Sequence, residues 1–184
     1  MYIGLIVALM VGGSEFQKQL DIAGDNRLEI ELALREVPET QKVGMAWLLT
    51  HMPEEDLKTL TGEFLLTNCD LAYEAWETAP WSKQITQEVF FDSILPYANV
   101  NERRDQWRGD FRGRFQDVVA NATSPTEATI LLNENIFNMV GVKYSTKRPK
   151  ADQSPFESIE AGMASCSGLS ILLIDACRSV GVPA

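Results

Sequence analysis

The most constraining stretch is the last one, Gly162-Met-Ala-Ser-Cys166-Ser-Gly-Leu-Ser-Ile-Leu-Leu-Ile-Asp-Ala-Cys-Arg-Ser-Val-Gly-Val-Pro-Ala184. Leu169, Leu172, Leu173 and Ala176 recur at helical spacing, and Ile171, Ile174 and Val180 widen the apolar surface. A helix apolar over so much of its circumference is a buried central helix. Gly181 suits the residue just past its end, and Pro183 cannot continue it. Cys166 then falls at or near the helix N-terminus. Free N–H groups and the positive end of the macrodipole favour a thiolate in such a place, which is one way to make a nucleophile. The competing reading is that Cys166 packs as a small hydrophobe, as most free cysteines do.

Composition narrows what such a helix can serve. The chain of 184 residues is one domain, or one with a small appendage, at 45% hydrophobic and 23% charged residues. A net charge of −10 argues against nucleic acid or an anionic membrane surface as the main partner. Lys147-Arg148-Pro149-Lys150 is too short to offset it and reads as a solvated loop. Met1 to Val11 is apolar and followed by Gly12, Gly13 and Ser14. It is too short to span a bilayer but has the size of a secretory h-region, so residues 1–14 are expected to be an export signal, although a charged n-region is missing and a buried strand or helix is the alternative.

Three cysteines, Cys69, Cys166 and Cys177, show no metal-ligand spacing. On one helix Cys166 and Cys177 lie roughly 16 Å apart, beyond disulfide reach. The count suits one working thiol and two buried ones. No cofactor motif occurs: no phosphate loop, no G-x-G-x-x-G, no H-E-x-x-H and no G-x-S-x-G.

Along the chain, Leu20 to Glu36 reads as one amphipathic helix with Leu28, Leu32 and Leu34 among its apolar positions. Gln41 to Thr50 reads as a second, and a third restarts after Met52-Pro53 and runs helically through Leu57 to Glu77. His51, the only histidine, reads as structural or solvent-facing. Val89 to Leu95 is an apolar anchor ended by Pro96. Glu102, Arg103, Arg104, Asp105 and Arg108 then stand at helical separations suited to solvated ion pairs. Phe111 to Ala122 is expected to be helical. Ser124, Pro125 and Glu127 make a helix start for a segment burying Ile130, Leu131, Ile136 and Val140, closed by Gly141. Val142 to Tyr144 is strand-like, and Ser145 to Pro155 reads as a polar loop. Trp47, Trp76, Trp81 and Trp107 lie in helical patterns and read as core aromatics.

Two stretches together resemble the transglutaminase-like superfamily. The first is Gly162, Cys166, Ser167, the apolar run from Leu169 to Ala176, Arg178 and Gly181-Val182-Pro183-Ala184. The second is an upstream signature carried by some bacterial members: Phe91, Leu95-Pro96-Tyr97, Asn101-Glu102 and Trp107-Arg108. The resemblance implies an α+β, papain-like family fold. Of that fold this sequence is expected to hold a mainly α-helical part: a helical N-terminal region, 15–122, and the helical half of the core, 123–184.

It also implies acyl transfer, with Cys166 as the catalytic nucleophile forming a thioester with a protein or peptide amide. No metal or other cofactor is implied. In the family a histidine and an aspartate follow the Pro-Ala turn on strands, and this sequence ends at Ala184. The expectation is therefore a fragment of an exported peptidase or transglutaminase, inactive as it stands. The alternative is a non-catalytic helical scaffold or binding module.

Overall fold

The computed structural model describes residues 17–184, of which about 67% are helical. The apolar run assigned to an export signal lies outside the described residues. Within them no helix is long and apolar enough to cross a membrane. The chain divides into two units, residues 1–70 and 71–184.

In the first unit, α1 (residues 17–23) passes through a 3-10 turn at Gly24–Asn26 into α2 (Arg27–Glu36), followed by α3 (Lys42–His51) and α4 (Glu54–Thr59). The single helix expected from Leu20 is broken at Gly24, which has φ of 55°. The apolar face of α2 is also not the one expected. Leu28 is 76% exposed, and Ile30 and Ala33 fill the core instead. Asn26 Nδ2 donates to the carbonyls of Leu57 and Leu60, both at 2.8 Å, and so satisfies acceptors that the end of α4 leaves open. The helix expected to run unbroken from Leu57 stops at Thr59 and restarts as α5 (Gly62–Thr78). Glu29 Oε2 accepts the Gly62 N–H at 2.7 Å and serves that new N-terminus from a distance.

The second unit is built around the terminal helix. Its elements are α6 (Gln87–Ser93), α7 (Trp107–Phe115), α8 (Pro125–Val140), β1 (Lys143–Tyr144), α9 (Pro155–Ala161), β2 (Met163–Ala164) and α10 (Cys166–Ser179). α10 packs against α7, α8 and α9. Ile171, Leu172, Ala176 and Val180 are buried, whereas Leu169, Leu173 and Ile174 are half-covered. Each fully buried aliphatic chain contributes about 1.5–3 kcal/mol.

β1 and β2 pair in parallel, Lys143 opposite Met163 and Tyr144 opposite Ala164. That short ladder holds the approach to α10. Gly181, at φ 77°, turns the chain out of the helix, and a β-carbon there would stand 2.3 Å from the Ala75 carbonyl oxygen. The Gly181 carbonyl accepts the Trp81 indole N–H at 2.7 Å, which places the aromatic expected to be buried.

Two further expectations shift. α8 starts as read, with Ser124 accepting the Glu127 N–H, but it buries Ala128, Leu132 and Ile136 and leaves Ile130 53% exposed. α7 begins at Trp107 and ends at Phe115, short of Ala122. The loop expected up to Pro155 gives way there to α9, whose Ser154 and Glu157 form a complete capping box.

Candidate active site

Cys166 is the first residue of α10, and its side chain is exposed. The turn that presents it is fixed from both sides. Gly162, at φ 62°, ends α9 in the left-handed conformation, and β2 carries the chain two residues on. Ser165 then caps α10: its Oγ accepts the Gly168 N–H at 3.1 Å and donates to the Ala151 carbonyl. Gln153, 1% exposed, donates from Nε2 to the carbonyls of Met163 at 3.1 Å and Glu157 at 3.3 Å. The 149–155 loop, α9 and the cysteine turn are thus held as one piece. By position, the N–H groups of Cys166 and Ser167 have no acceptor inside the helix.

Gly168 sets how closely this turn packs. A β-carbon at Gly168 would lie 2.9 Å from Ala164 Cβ and 3.4 Å from Ser158 Oγ. Alanine gains about 1 kcal/mol in helix propensity, and the overlap costs about 1–3 kcal/mol. Gly168→Ala is expected to lose up to about 2 kcal/mol net, and urea denaturation checks it. A gain in stability would show that the turn has slack.

The other two thiols are buried. Burial pushes the Cys177 thiol up to about 11, against a Thr129 hydrogen bond and the Arg178 charge, which pull the other way. The thiols therefore divide into one exposed and two buried groups, as their count suggested. His51 sits at the exposed end of α3, its ring stacked on Trp47 at 4.2 Å between centroids. Its Nδ1 lies 2.7 Å from the Trp47 carbonyl oxygen, within its own helix.

The upstream signature is where sequence reasoning went astray. Glu102, Asp105 and Arg108 are 4%, 8% and 4% exposed, and residues 94–106 are irregular, so these charges are not solvated pairs along a helix. Glu102 accepts the backbone N–H groups of Asn99 at 2.7 Å and Val100 at 2.9 Å and thereby makes the turn. Asp105 pairs with Arg103 at 2.8 Å and with its other oxygen accepts the Phe156 N–H at 3.0 Å, at the start of α9. Trp107 Nε1 donates to the Tyr97 carbonyl at 2.9 Å.

Two buried arginines close the segment. Arg108 donates to the carbonyls of Ile94, Leu95 and Pro96, and to the backbone carbonyl of Arg178 at 3.4 Å. Arg178, on α10, donates to the carbonyls of Ser93, Pro96, Ala98 and Ala184 at 3.0–3.3 Å. Burial holds the Arg178 guanidinium below its usual range, with Asp175 and Glu102 opposing. A backbone that leaves regular structure at Pro96 must find donors elsewhere, and the guanidinium fork supplies several at once. The available signal in the sequence was Asp175 and Arg178 inside an otherwise apolar helix, since a charge is rarely buried without partners.

The model of the Transglutaminase-like superfamily matches residues 112–184. Over that segment the chain is similar to the superfamily. It contains the last turns of α7, then α8, the β1–β2 ladder, α9 and the whole of α10, so the resemblance read from Cys166 and its helix holds. The upstream signature lies outside the matched residues. No curated protein and no solved structure matches the chain.

Proposed function

We propose that Cys166 is the nucleophile of an acyl-transfer enzyme acting on peptide or protein amides. One observation carries the reading: Cys166 is the exposed thiol at the first residue of the transglutaminase-like helix, beyond an N-cap held by two hydrogen bonds. The sulfur attacks the carbonyl carbon, a C–S bond forms, the C–N bond breaks, and the thiol proton ends on the leaving amine. Water or an amine then resolves the thioester. The backbone N–H of Cys166 is placed by the helix terminus to meet the oxyanion. The proton needs a base, and the only histidine of the sequence is engaged within α3.

The test is the rate of iodoacetamide alkylation at Cys166 and Cys177 as a function of pH, resolved by peptide mass spectrometry. Cys166 is expected to react at least about 100-fold faster than Cys177 near neutrality, because its thiol is exposed and the Cys177 thiol is buried with its pKa pushed up to about 11. Equal rates at the two cysteines would sink the catalytic reading and leave a helical scaffold.

A further inference from the structure

α10 holds a buried carboxyl group that acyl transfer does not use. Asp175 lies nine residues after Cys166 and is fully buried. The groups acting on it come from three places: Arg178 and Cys177 from its own helix, Asn99 and Glu102 from the irregular segment, and Arg108 from α7. On α8 the nearest contribution is Thr129, which reaches Cys177. The two arginines spend hydrogen bonds on backbone carbonyls.

Asn99 Nδ2 donates to Asp175 Oδ1 at 3.0 Å. The remaining atoms of the pair, Asp175 Oδ2 and Asn99 Oδ1, are both buried and neither has a hydrogen-bond partner. With Asp175 ionised, both are acceptors, and two orphaned acceptors on side chains already joined is a costly arrangement. A single proton on Asp175 would turn one of these two acceptors into a donor able to serve the other. A carboxylic acid facing a carboxamide forms a ring of two hydrogen bonds, N–H to one carboxyl oxygen and O–H back to the amide oxygen.

We propose that Asp175 is a protonated acid in the folded protein, closing this ring with Asn99, and that loss of the proton releases the Asn99–Glu102 turn from α10. The device would tie the upstream signature to the cysteine helix in a pH-dependent way, and it does not rest on the chemistry of Cys166. The electrostatics agree. Desolvation pushes the Asp175 carboxyl up to about 8; the Arg178 charge and the Asn99 hydrogen bond oppose this, the Glu102 charge adds to it, and Arg108 opposes it. Because the folded value lies above the unfolded one, this contribution to stability is complete below the ordinary carboxyl range. It is lost as pH rises through about 8.

The experiment is a pH titration followed by the side-chain carboxyl 13C resonance of Asp175 and the indole N–H resonance of Trp107. Trp107 is a reporter because it donates to Tyr97, in the same segment. The carboxyl is expected to titrate with a midpoint near 8, and Trp107 to shift with the same midpoint. In Asp175→Asn an amide N–H stands in for the acid O–H, so Trp107 should stay unchanged from about pH 6 to about pH 10. A carboxyl midpoint below about 5 overturns the proton, since that is the range of an ordinary carboxylate. A carboxyl titration near 8 without movement of Trp107, or a Trp107 transition that survives in Asp175→Asn, overturns the release. The carboxyl is assigned through its own backbone amide, so the wild-type titration decides even where the variant does not fold.

Discussion

Cys166→Ala is expected to abolish covalent acylation while leaving the unfolding midpoint within about 0.5 kcal/mol of wild type. The two halves of that result have separate causes. Cys166 is exposed at the first turn of α10, so its sulfur makes little contribution to the core, and the Ser165 cap remains intact. Under the proposed acyl-transfer chemistry, loss of the nucleophile should lower turnover of a peptide amide by about 10⁴-fold or more. With an activated ester such as p-nitrophenyl acetate, wild-type protein should gain one acyl group on the Cys166 peptide, and Cys166→Ala should gain none. Acylation that persists at Cys69 or Cys177 at the wild-type rate would contradict the assignment, since both are buried.

Arg178→Ala is expected to destabilise the second unit by about 3–5 kcal/mol, the range for breaking a buried charged network from one side. Arg178 serves four carbonyls, those of Ser93, Pro96, Ala98 and Ala184, in a region with no regular ladder to replace them. Each carbonyl left dry costs about 1–3 kcal/mol, less than additively when they share one cavity. Asp175 would also lose the largest charge that opposes its desolvation. At about 2–4 °C per kcal/mol, the melting midpoint should fall by roughly 6–20 °C. Arg178→Lys should recover less than half of the loss, because a compact ammonium cannot span acceptors arranged for a planar fork. A drop below about 1 kcal/mol for Arg178→Ala would mean that water replaces the guanidinium and that the segment is not clasped.

The legible part of this protein was local. The cap and proline at Ser124-Pro125, the left-handed glycines Gly141 and Gly181, and the apolar α10 all act over a few residues, and each stands where its pattern placed it. Cys166 at the start of α10 was legible for the same reason. The failures have a common cause too. Leu28 and Ile130 satisfy helical periodicity but face outward, because periodicity gives the existence of a face and not the partner that covers it. Glu102, Asp105 and Arg108 have the composition of a solvated surface, and their spacing alone cannot reveal that residues 94–106 fold back onto α10 and bury them.

By itself, the sequence determined a mainly helical chain ending in a buried transglutaminase-like helix with a cysteine at its head, because capping, periodicity and helix-breaking are short-range effects. Tertiary structure alone decided that the charged signature is a buried clasp, with Arg178 and Asp175 among its working parts. Burial turns a charge from a solvated ornament into a group that must be paired, hydrogen-bonded or neutralised. Which charges are buried depends on segments about seventy to eighty residues apart meeting at one helix, as Asn99 does with Asp175 and Ala98 with Arg178.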